Sequence, residues 1–299
     1  MYQIAGDQGR EPDLAGVLDN SPSEKPKDSS SALELLVRIV FGSLLALAAV
    51  AAVFLGGIFF ASFVAIGAVS AVREWHRMIE CQRFGWELVL TAATIVGAIG
   101  LLIVKPNEAW PWLLIAAAAV ANALLAIVRK APPVWQGFGV VYVGVTALSL
   151  VAIRNNAPNG LWVMLGLFIV VWAADTGALL AGKLVGGPKL VPALSPNKTW
   201  AGFIGGIALA AAAEAIYIAW FGGNVVFAAV YGVCLAVVAC GGDLFESWTK
   251  RVFNRKNSGS LIPGHGGVLD RVDSTLFVAP VSAILVLMLG IDTLFGAHP

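Results

Sequence analysis

Nine apolar segments recur along the chain, each close to the roughly 20 residues that an α-helix needs to cross a ~30 Å hydrocarbon core. Short polar stretches containing most of the charged residues separate them. This pattern predicts an all-α, polytopic helical membrane protein with about nine transmembrane helices. The predicted spans lie near residues 33–53, 56–73, 87–104, 111–128, 135–153, 160–181, 201–220, 225–243 and 273–295.

The first two spans depend on how one long apolar run is divided. Residues 39–72 carry no charge, and as a single helix they would extend ~50 Å, well beyond the hydrocarbon core. We therefore predict a break at Gly56-Gly57 and a hairpin of two spans. One tilted span is the alternative, and it would place the N-terminal tail on the outer side.

The composition supports a membrane protein and excludes several other classes. Hydrophobic residues make up 59% of the chain and charged residues only 12%, with a mean hydropathy of +0.84. So little charge excludes a soluble globule, a disordered chain and a disulfide scaffold, and a net charge of +1 excludes a basic nucleic-acid binder. The three cysteines lack CxxC spacing, so we interpret them as small core residues.

The positive charges predict the orientation. If the N-terminus is cytoplasmic, the inside loops hold thirteen of the nineteen Lys and Arg residues. The outside loops hold only Lys105 and Arg154. Because Lys and Arg concentrate in cytoplasmic loops, this distribution favours a cytoplasmic N-terminus. We divide the chain into a disordered acidic tail (1–30), a helical scaffold (31–155) and a C-terminal helical region (156–299) that carries the site.

Polar residues gather after residue 170, mostly on the predicted inner side. Asp175 lies within the sixth span, where a carboxylate is costly unless it is paired, hydrated or neutral. It either ties helices together or lines a polar cavity. Before the seventh span comes the segment 195–202, in which Ser195 or Asn197 can cap the helix and Lys198 can face an anion. A bare cap with a positive-inside lysine is the alternative.

The densest polar cluster runs from residue 241 to 273. If the eighth helix continues out of the membrane, one of its faces carries acids, a hydroxyl and bases, and a glycine-rich turn around His265 follows. Three carboxylates could hold Mg²⁺ with substrate phosphates, and four bases could neutralise phosphate oxygens. A solvated positive-inside loop would explain the bases but not the acids. The carboxylates are Asp243, Asp270 and Asp273, and the bases are Lys250, Arg251, Lys256 and Arg271.

At these positions the sequence resembles the phosphatidate cytidylyltransferase (CDP-diacylglycerol synthase) family. The family signature places its elements at fixed spacing, and this chain keeps that spacing throughout; the resemblance is specific over about 142–275. Segments 175–177 and 195–199 and the run from Gly242 to Ser247 also look like family segments. The matching signature residues are Ser247, Lys250-Arg251, Lys256, Pro263-Gly264-His265-Gly266-Gly267, Asp270-Arg271 and Asp273.

The resemblance implies a membrane nucleotidyltransferase that joins CTP and phosphatidic acid, giving CDP-diacylglycerol and pyrophosphate in phospholipid biosynthesis. It implies one or more Mg²⁺ ions held by Asp243, Asp270 and Asp273. The expected catalytic residues are Asp243, Lys250, Asp270, Arg271 and Asp273. The expected substrate-binding residues are Asp175, Ser195, Lys198, Thr199, Ser247, Arg251, Lys256, His265, Gly266 and Gly267.

Three residues depart from the family pattern. Asn257 replaces an Asp, Thr249 an apolar residue, and Ala201 a Glu. Because the three candidate metal ligands remain, we expect activity to survive, with altered metal affinity.

Other functions remain as alternatives. An ion-coupled transporter would use an intramembrane Asp, but no internal repeat is evident, and the polar cluster lies at the inner surface. A related lipid-head-group enzyme would use another nucleotide or lipid. The expected location is a bacterial inner membrane, with the site on the cytoplasmic side. The sequence leaves open whether the chain forms a homodimer.

Overall fold

The computed structural model describes residues 28–80, 85–255, 257–259, 261, 266–288 and 290. Most of the predicted acidic tail lies outside these residues, but positions 28–30 already belong to the first helix. The helices are α1 (Asp28–Leu55), α2 (Gly57–Glu80), α3 (Trp86–Val104), α4 (Trp110–Val128), α5 (Pro133–Asn156), α6 (Gly160–Leu184), α7 (Trp200–Trp220), α8 (Val225–Val252), α9 (Leu269–Val272) and α10 (Thr275–Ala283). A π-helical turn, Ile284–Met288, continues α10.

The helices confirm that this is a polytopic α-helical membrane protein. Within the described residues, the seven helices α2 to α8 are long and apolar enough to cross a membrane. Two shorter apolar stretches, Val40–Leu55 and Thr275–Met288, lie where the first and ninth spans were predicted. Most predicted boundaries fall within a few residues of the observed ones. The total of nine crossings stays a prediction.

The predicted break at Gly56-Gly57 is confirmed, because one helix ends at Leu55 and the next begins at Gly57. Gly56 and Gly57 have φ of 60° and 51°, a left-handed conformation that ends α1 and favours glycine. The α5 residue Arg154 donates hydrogen bonds to the Val53 carbonyl (2.6 Å) and the Phe54 carbonyl (3.4 Å), so it caps the last turn of α1. The hairpin is thereby joined to the end of α5.

The described residues confirm the all-α fold class and add a short hairpin of strands between α6 and α7 that the sequence did not predict. Strands β1 (Lys189–Val191) and β2 (Ser195–Thr199) pair antiparallel, with Lys189 opposite Thr199. Glycines at 186–187 with positive φ and prolines at 188, 192 and 196 prevent a continuous helix here, and strand pairing satisfies backbone groups instead. The hairpin delivers Lys198 and Thr199 to the start of α7.

Small residues bring α6 and α7 into close contact. A Cβ on Gly177 would lie 2.5 Å from the Gly205 carbonyl oxygen, and a Cβ on Gly206 would lie 2.8 Å from the Ala174 carbonyl oxygen. Such close backbone approach is typical of small-residue interfaces between membrane helices. It fixes the separation of two helices that flank the candidate site.

An aromatic cluster joins the N-terminal helices to the C-terminal ones. Trp75 of α2 packs against Tyr142 of α5 with ring centroids 5.4 Å apart, and Tyr142 packs against Phe245 of α8 at 5.5 Å and Phe277 of α10 at 5.6 Å. The helices that carry the polar residues are therefore seated on an aromatic core shared by both parts of the chain.

Candidate active site

A cavity of about 260 Å³ opens between α6, α7 and α8. Asp175 from α6 is exposed within it, as the cavity-lining alternative predicts. Lys198 and Thr199 from the strand hairpin, Asp243 from α8 and Ser274 also line it. Residues far apart in the sequence thus meet at a polar opening between these helices.

The central contact of the cavity is an ion pair between Lys198 and Asp243. Both side chains remain partly exposed, at 24% and 34%, so the pair is accessible to a ligand. The cap of α7 differs from the prediction: Thr199, rather than Ser195 or Asn197, accepts a hydrogen bond from the Gly202 N–H (3.1 Å). Lys198 is therefore held at the start of a capped helix.

The predicted continuation of α8 is confirmed, since the helix runs to Val252. Gly242 allows α8 to approach closely, because a Cβ there would lie 2.8 Å from the Asp273 carbonyl oxygen. This approach brings Asp243 towards the segment that carries Asp273. Nearer the C-terminal end of α8, Lys250 forms an ion pair with buried Glu246.

Asp270 is the centre of a second polar group. Its carboxylate accepts from Lys250 Nζ (3.0 Å), the Gly267 N–H (3.0 Å) and the Ser258 N–H (3.2 Å). Although burial raises the pKa of Asp270, the hydrogen bond from the Gly267 N–H and the charge of Lys250 hold that pKa below its usual value. Asp270 is thus ionised and holds Ser258 and Gly267 in place through their backbone N–H groups.

Asp273 is influenced electrostatically by residues of both groups. Burial raises the pKa of Asp273 to about 7, and the carboxylates of Asp243 and Asp175 add to the effect, while the Ser274 N–H (2.7 Å) and Lys250 oppose it. The negative charges of Asp243 and Asp175 thus disfavour ionisation of Asp273.

The three predicted metal ligands do not form one metal-binding group. Among the described residues, no set of three or more His, Cys, Asp or Glu side chains is arranged to hold a metal ion. Asp270 is occupied by Lys250 and two backbone N–H groups, whereas Asp243 and Asp273 interact with each other. Mg²⁺ commonly binds through one or two carboxylates plus substrate phosphates, and Asp243 and Asp273 offer carboxylate oxygens of that kind.

The remaining predicted residues are distributed around these groups. Arg271 is exposed and interacts electrostatically with Asp175. Ser247 is half-buried on α8 and Arg251 is exposed at its end, while Ser195 lies at the far end of β2, opposite Val191. Lys256 and His265 lie outside the described residues.

The resemblance implies that Gly266 and Gly267 of the glycine-rich turn bind substrate. Gly266 has a φ of +83°, which explains the need for glycine. The Gly267 N–H, however, donates to Asp270 rather than pointing towards the cavity. Lys250 likewise contacts two carboxylates, so its positive charge organises the loop in this structure.

Sequence reasoning missed Glu74, a buried α2 residue with an exposed fraction of 3%. Its carboxylate accepts from the N–H groups of Val268 (2.9 Å) and Leu269 (2.8 Å) and from the Ser258 hydroxyl (3.3 Å). An acid at the end of an apolar span was the available signal. Nothing local connects it to a loop more than 180 residues away.

The residues that depart from the family pattern are accommodated without disturbing these contacts. Thr249 is fully buried and donates to the Phe245 carbonyl of its own helix (2.9 Å), which satisfies its hydroxyl. Asn257 is exposed, and Ala201 lies in the first turn of α7.

Comparison with known proteins identifies the family. The family model described as "Cytidylyltransferase family" matches residues 36–289, which include every residue of both polar groups. The chain belongs to the cytidylyltransferase family. A phosphatidate cytidylyltransferase from Brucella suis is 39% identical over 236 residues, 75% of this chain and 83% of the relative. Another from Staphylococcus aureus is 35% identical over 248 residues, 78% and 91% of the two chains. Membership in the family is consistent with a polar cavity built into a membrane bundle.

Proposed function

We propose that this chain is a phosphatidate cytidylyltransferase that joins CTP and phosphatidate into CDP-diacylglycerol and pyrophosphate. The observation that carries the proposal is its 39% identity to a named phosphatidate cytidylyltransferase over three quarters of its length. The polar groups described above lie within the residues that the family model matches. An enzyme that acts on a lipid phosphate needs polar groups of this kind.

The reaction sets an electrostatic problem. A phosphate oxygen of phosphatidate attacks the α-phosphorus of CTP, and the bond from that phosphorus to the oxygen bridging to the β-phosphate breaks, so pyrophosphate leaves with the electron pair. The nucleophile is already anionic at neutral pH, so a general base is not required. Catalysis then depends on bringing two anions together in line and neutralising their charge.

The residues around the cavity suit that task. Lys198 would bind a phosphate oxygen after releasing Asp243, and Arg271 would bind another from the α9 side. Asp243 and Asp273 would hold Mg²⁺, which when bound neutralises charge on the CTP phosphates. Asp270 and Lys250 would keep α9 and the glycine-rich turn in place, and Asp175 would face the substrates from deeper in the cavity.

The membrane setting follows from the substrates. CTP is water-soluble and phosphatidate keeps its acyl chains in lipid, so they meet where the head group is exposed. We propose nine crossings, a cytoplasmic N-terminus and a site at the cytoplasmic face of a bacterial inner membrane. The lysine and arginine distribution supports this orientation.

The test is an assay of the purified chain in detergent. We expect CDP-diacylglycerol and pyrophosphate to form only when CTP, phosphatidate and Mg²⁺ are all present. A requirement for another nucleotide or lipid would indicate a related head-group enzyme instead. Absence of pyrophosphate release under every nucleotide and lipid combination would contradict the proposal and leave transport as the alternative.

A further inference from the structure

Two carboxylates hold both ends of the glycine-rich segment between α8 and α9. Before the segment, Ser258 gives its N–H to Asp270 and its hydroxyl to Glu74. At its other end, Gly267 gives its N–H to Asp270, while the following residues Val268 and Leu269 give theirs to Glu74. Asp270 belongs to the predicted catalytic set, but Glu74 comes from α2, in the part of the chain expected to act only as scaffold.

The loop backbone packs directly onto the Glu74 carboxylate. A Cβ placed on Gly259 would lie 2.6 Å from Glu74 Oε1, and one placed on Gly267 would also overlap this carboxylate. The two glycines therefore permit the short contacts, and the position of the segment depends on the position of Glu74. Arg271 and Asp273 follow within a few residues on and after α9, so their placement depends on it as well.

Both carboxylate oxygens of Glu74 must accept hydrogen bonds. Oε1 accepts from the Val268 N–H, and Oε2 accepts from the Leu269 N–H and the Ser258 hydroxyl. An ionised carboxylate is an acceptor only, whereas an amide has one donor end. In either orientation, a glutamine here would direct its NH₂ group at a backbone N–H.

We propose that Glu74 is a positioning residue for the cytidylyl transfer, an inference that rests on the proposed function. Among the described residues, its hydrogen-bond partners are Ser258, Val268 and Leu269, none of which lines the cavity beside Lys198. It acts by holding Ser258 and the start of α9 in place. Its removal should misplace Arg271 and Asp273 while leaving the cavity beside Lys198 formed. Since small misplacement of reacting groups is costly, the defect should appear in kcat.

The first test compares Glu74→Gln with wild type and with Glu87→Gln. Glu87 is a matched control because it is another buried carboxylate, paired at 2.6 Å with Arg129 at the end of α4 rather than with the backbone near α9. We expect Glu74→Gln to lower kcat by roughly 10- to 100-fold with little change in the KM for CTP. Glu87→Gln should retain kcat within about twofold. Glu74→Asp, which keeps two acceptor oxygens, should recover part of the lost kcat.

The second test does not depend on activity. Limited trypsin digestion should cut after exposed Arg255 faster in Glu74→Gln than in wild type or Glu87→Gln, because the segment has lost one of its two anchors. Wild type without CTP- and phosphatidate-dependent turnover would overturn the proposed function alone. Unchanged digestion together with a kcat within twofold of wild type would overturn the positioning role.

A third variant separates positioning from simple misfolding. Gly259→Ala places a methyl group against Glu74 without removing any charge, so it should reproduce the kcat defect in folded protein. Combined with Glu74→Gln, its effect should be less than additive, because both act on one contact. Full additivity, or a kcat loss that only follows the loss of folded protein, would show that Glu74 has a merely structural role.

Discussion

At the scale of single residues, the charged side chains around the cavity and before α9 form an accessible ion pair and a network whose members bind one another. Lys198 and Asp243 are partly exposed at the cavity, whereas Lys250, Glu246 and Asp270 are engaged with one another. A partly exposed pair can exchange partners when an anionic substrate arrives. Lys250 and Asp270 cannot exchange partners in this way without releasing Ser258 and Gly267, which Asp270 binds.

Lys198→Ala should therefore impair substrate use directly. We expect kcat/KM for CTP to fall by roughly 100-fold, in the range seen when one preorganised charge-stabilising donor is lost. The control is Lys183→Ala, which changes an exposed lysine in the last turn of α6 that does not line the cavity. Steady-state kinetics at varied CTP checks this, and equal effects of the two substitutions would contradict it.

Asp243→Asn and Asp270→Asn should have different signatures. We propose Asp243 as a Mg²⁺ ligand, so Asp243→Asn should raise the Mg²⁺ concentration needed for half-maximal rate by about 10-fold. Asp270 is occupied by Lys250 and two N–H groups, so its neutralisation should lower kcat with an unchanged Mg²⁺ requirement. Mg²⁺ titrations of both variants test this. A shifted Mg²⁺ requirement in Asp270→Asn would restore the three-carboxylate metal site that the sequence predicts.

At the scale of helices, the packing of α6 against α7 sets the width of the cavity. Asp175 lies on one helix, and Lys198 and Thr199 lie at the start of the other. Gly177 faces the Gly205 carbonyl across this interface, with no room for a side chain. The separation of the two helices is thus determined by glycine and alanine, not by the polar residues that they carry.

Gly177→Ala and Gly97→Ala make the same change in opposite environments. A methyl group at Gly177 would overpack the interface, costing about 1–3 kcal/mol of stability and much of the activity. Gly97 lies in α3 with nothing within 4 Å of a Cβ, so alanine should be neutral or stabilising by about 0.5–1 kcal/mol. Thermal unfolding in detergent and turnover measure both effects. Comparable behaviour of the two variants would rule out α6–α7 contact as the determinant.

Helices were predictable because a membrane-length apolar run between charged stretches has few other stable structures. The break at Gly56-Gly57 was predictable for the same reason, since 39–72 is too long for one span. The strand pair 189–191 and 195–199 was not, because so short a hairpin has no periodic signal. The Thr199 cap was missed because several adjacent polar residues could have provided it.

At the scale of the whole molecule, the site combines local and distant information. The resemblance located Asp243, Lys250 and Asp270 because the family signature is contiguous in sequence. It could not show that Lys250 and Asp270 bind each other, nor that α2 supplies Glu74 to the loop before α9. Contacts of that kind depend on how α2, α5 and α10 pack, and no local pattern encodes that packing.

The orientation of the whole molecule can be tested by placing one cysteine on each side. With Cys81, Cys234 and Cys240 replaced by alanine, the exposed residues Asn107 and Asn257 are each changed to cysteine in separate chains. Asn107 follows α3 on the predicted outer side, and Asn257 lies beside the site on the predicted inner side. A membrane-impermeant maleimide applied to intact spheroplasts should label Asn107→Cys, and should label Asn257→Cys only after permeabilisation. The reverse pattern would place the polar groups on the side that CTP does not reach, and it would contradict a cytoplasmic site even if the detergent assay showed activity.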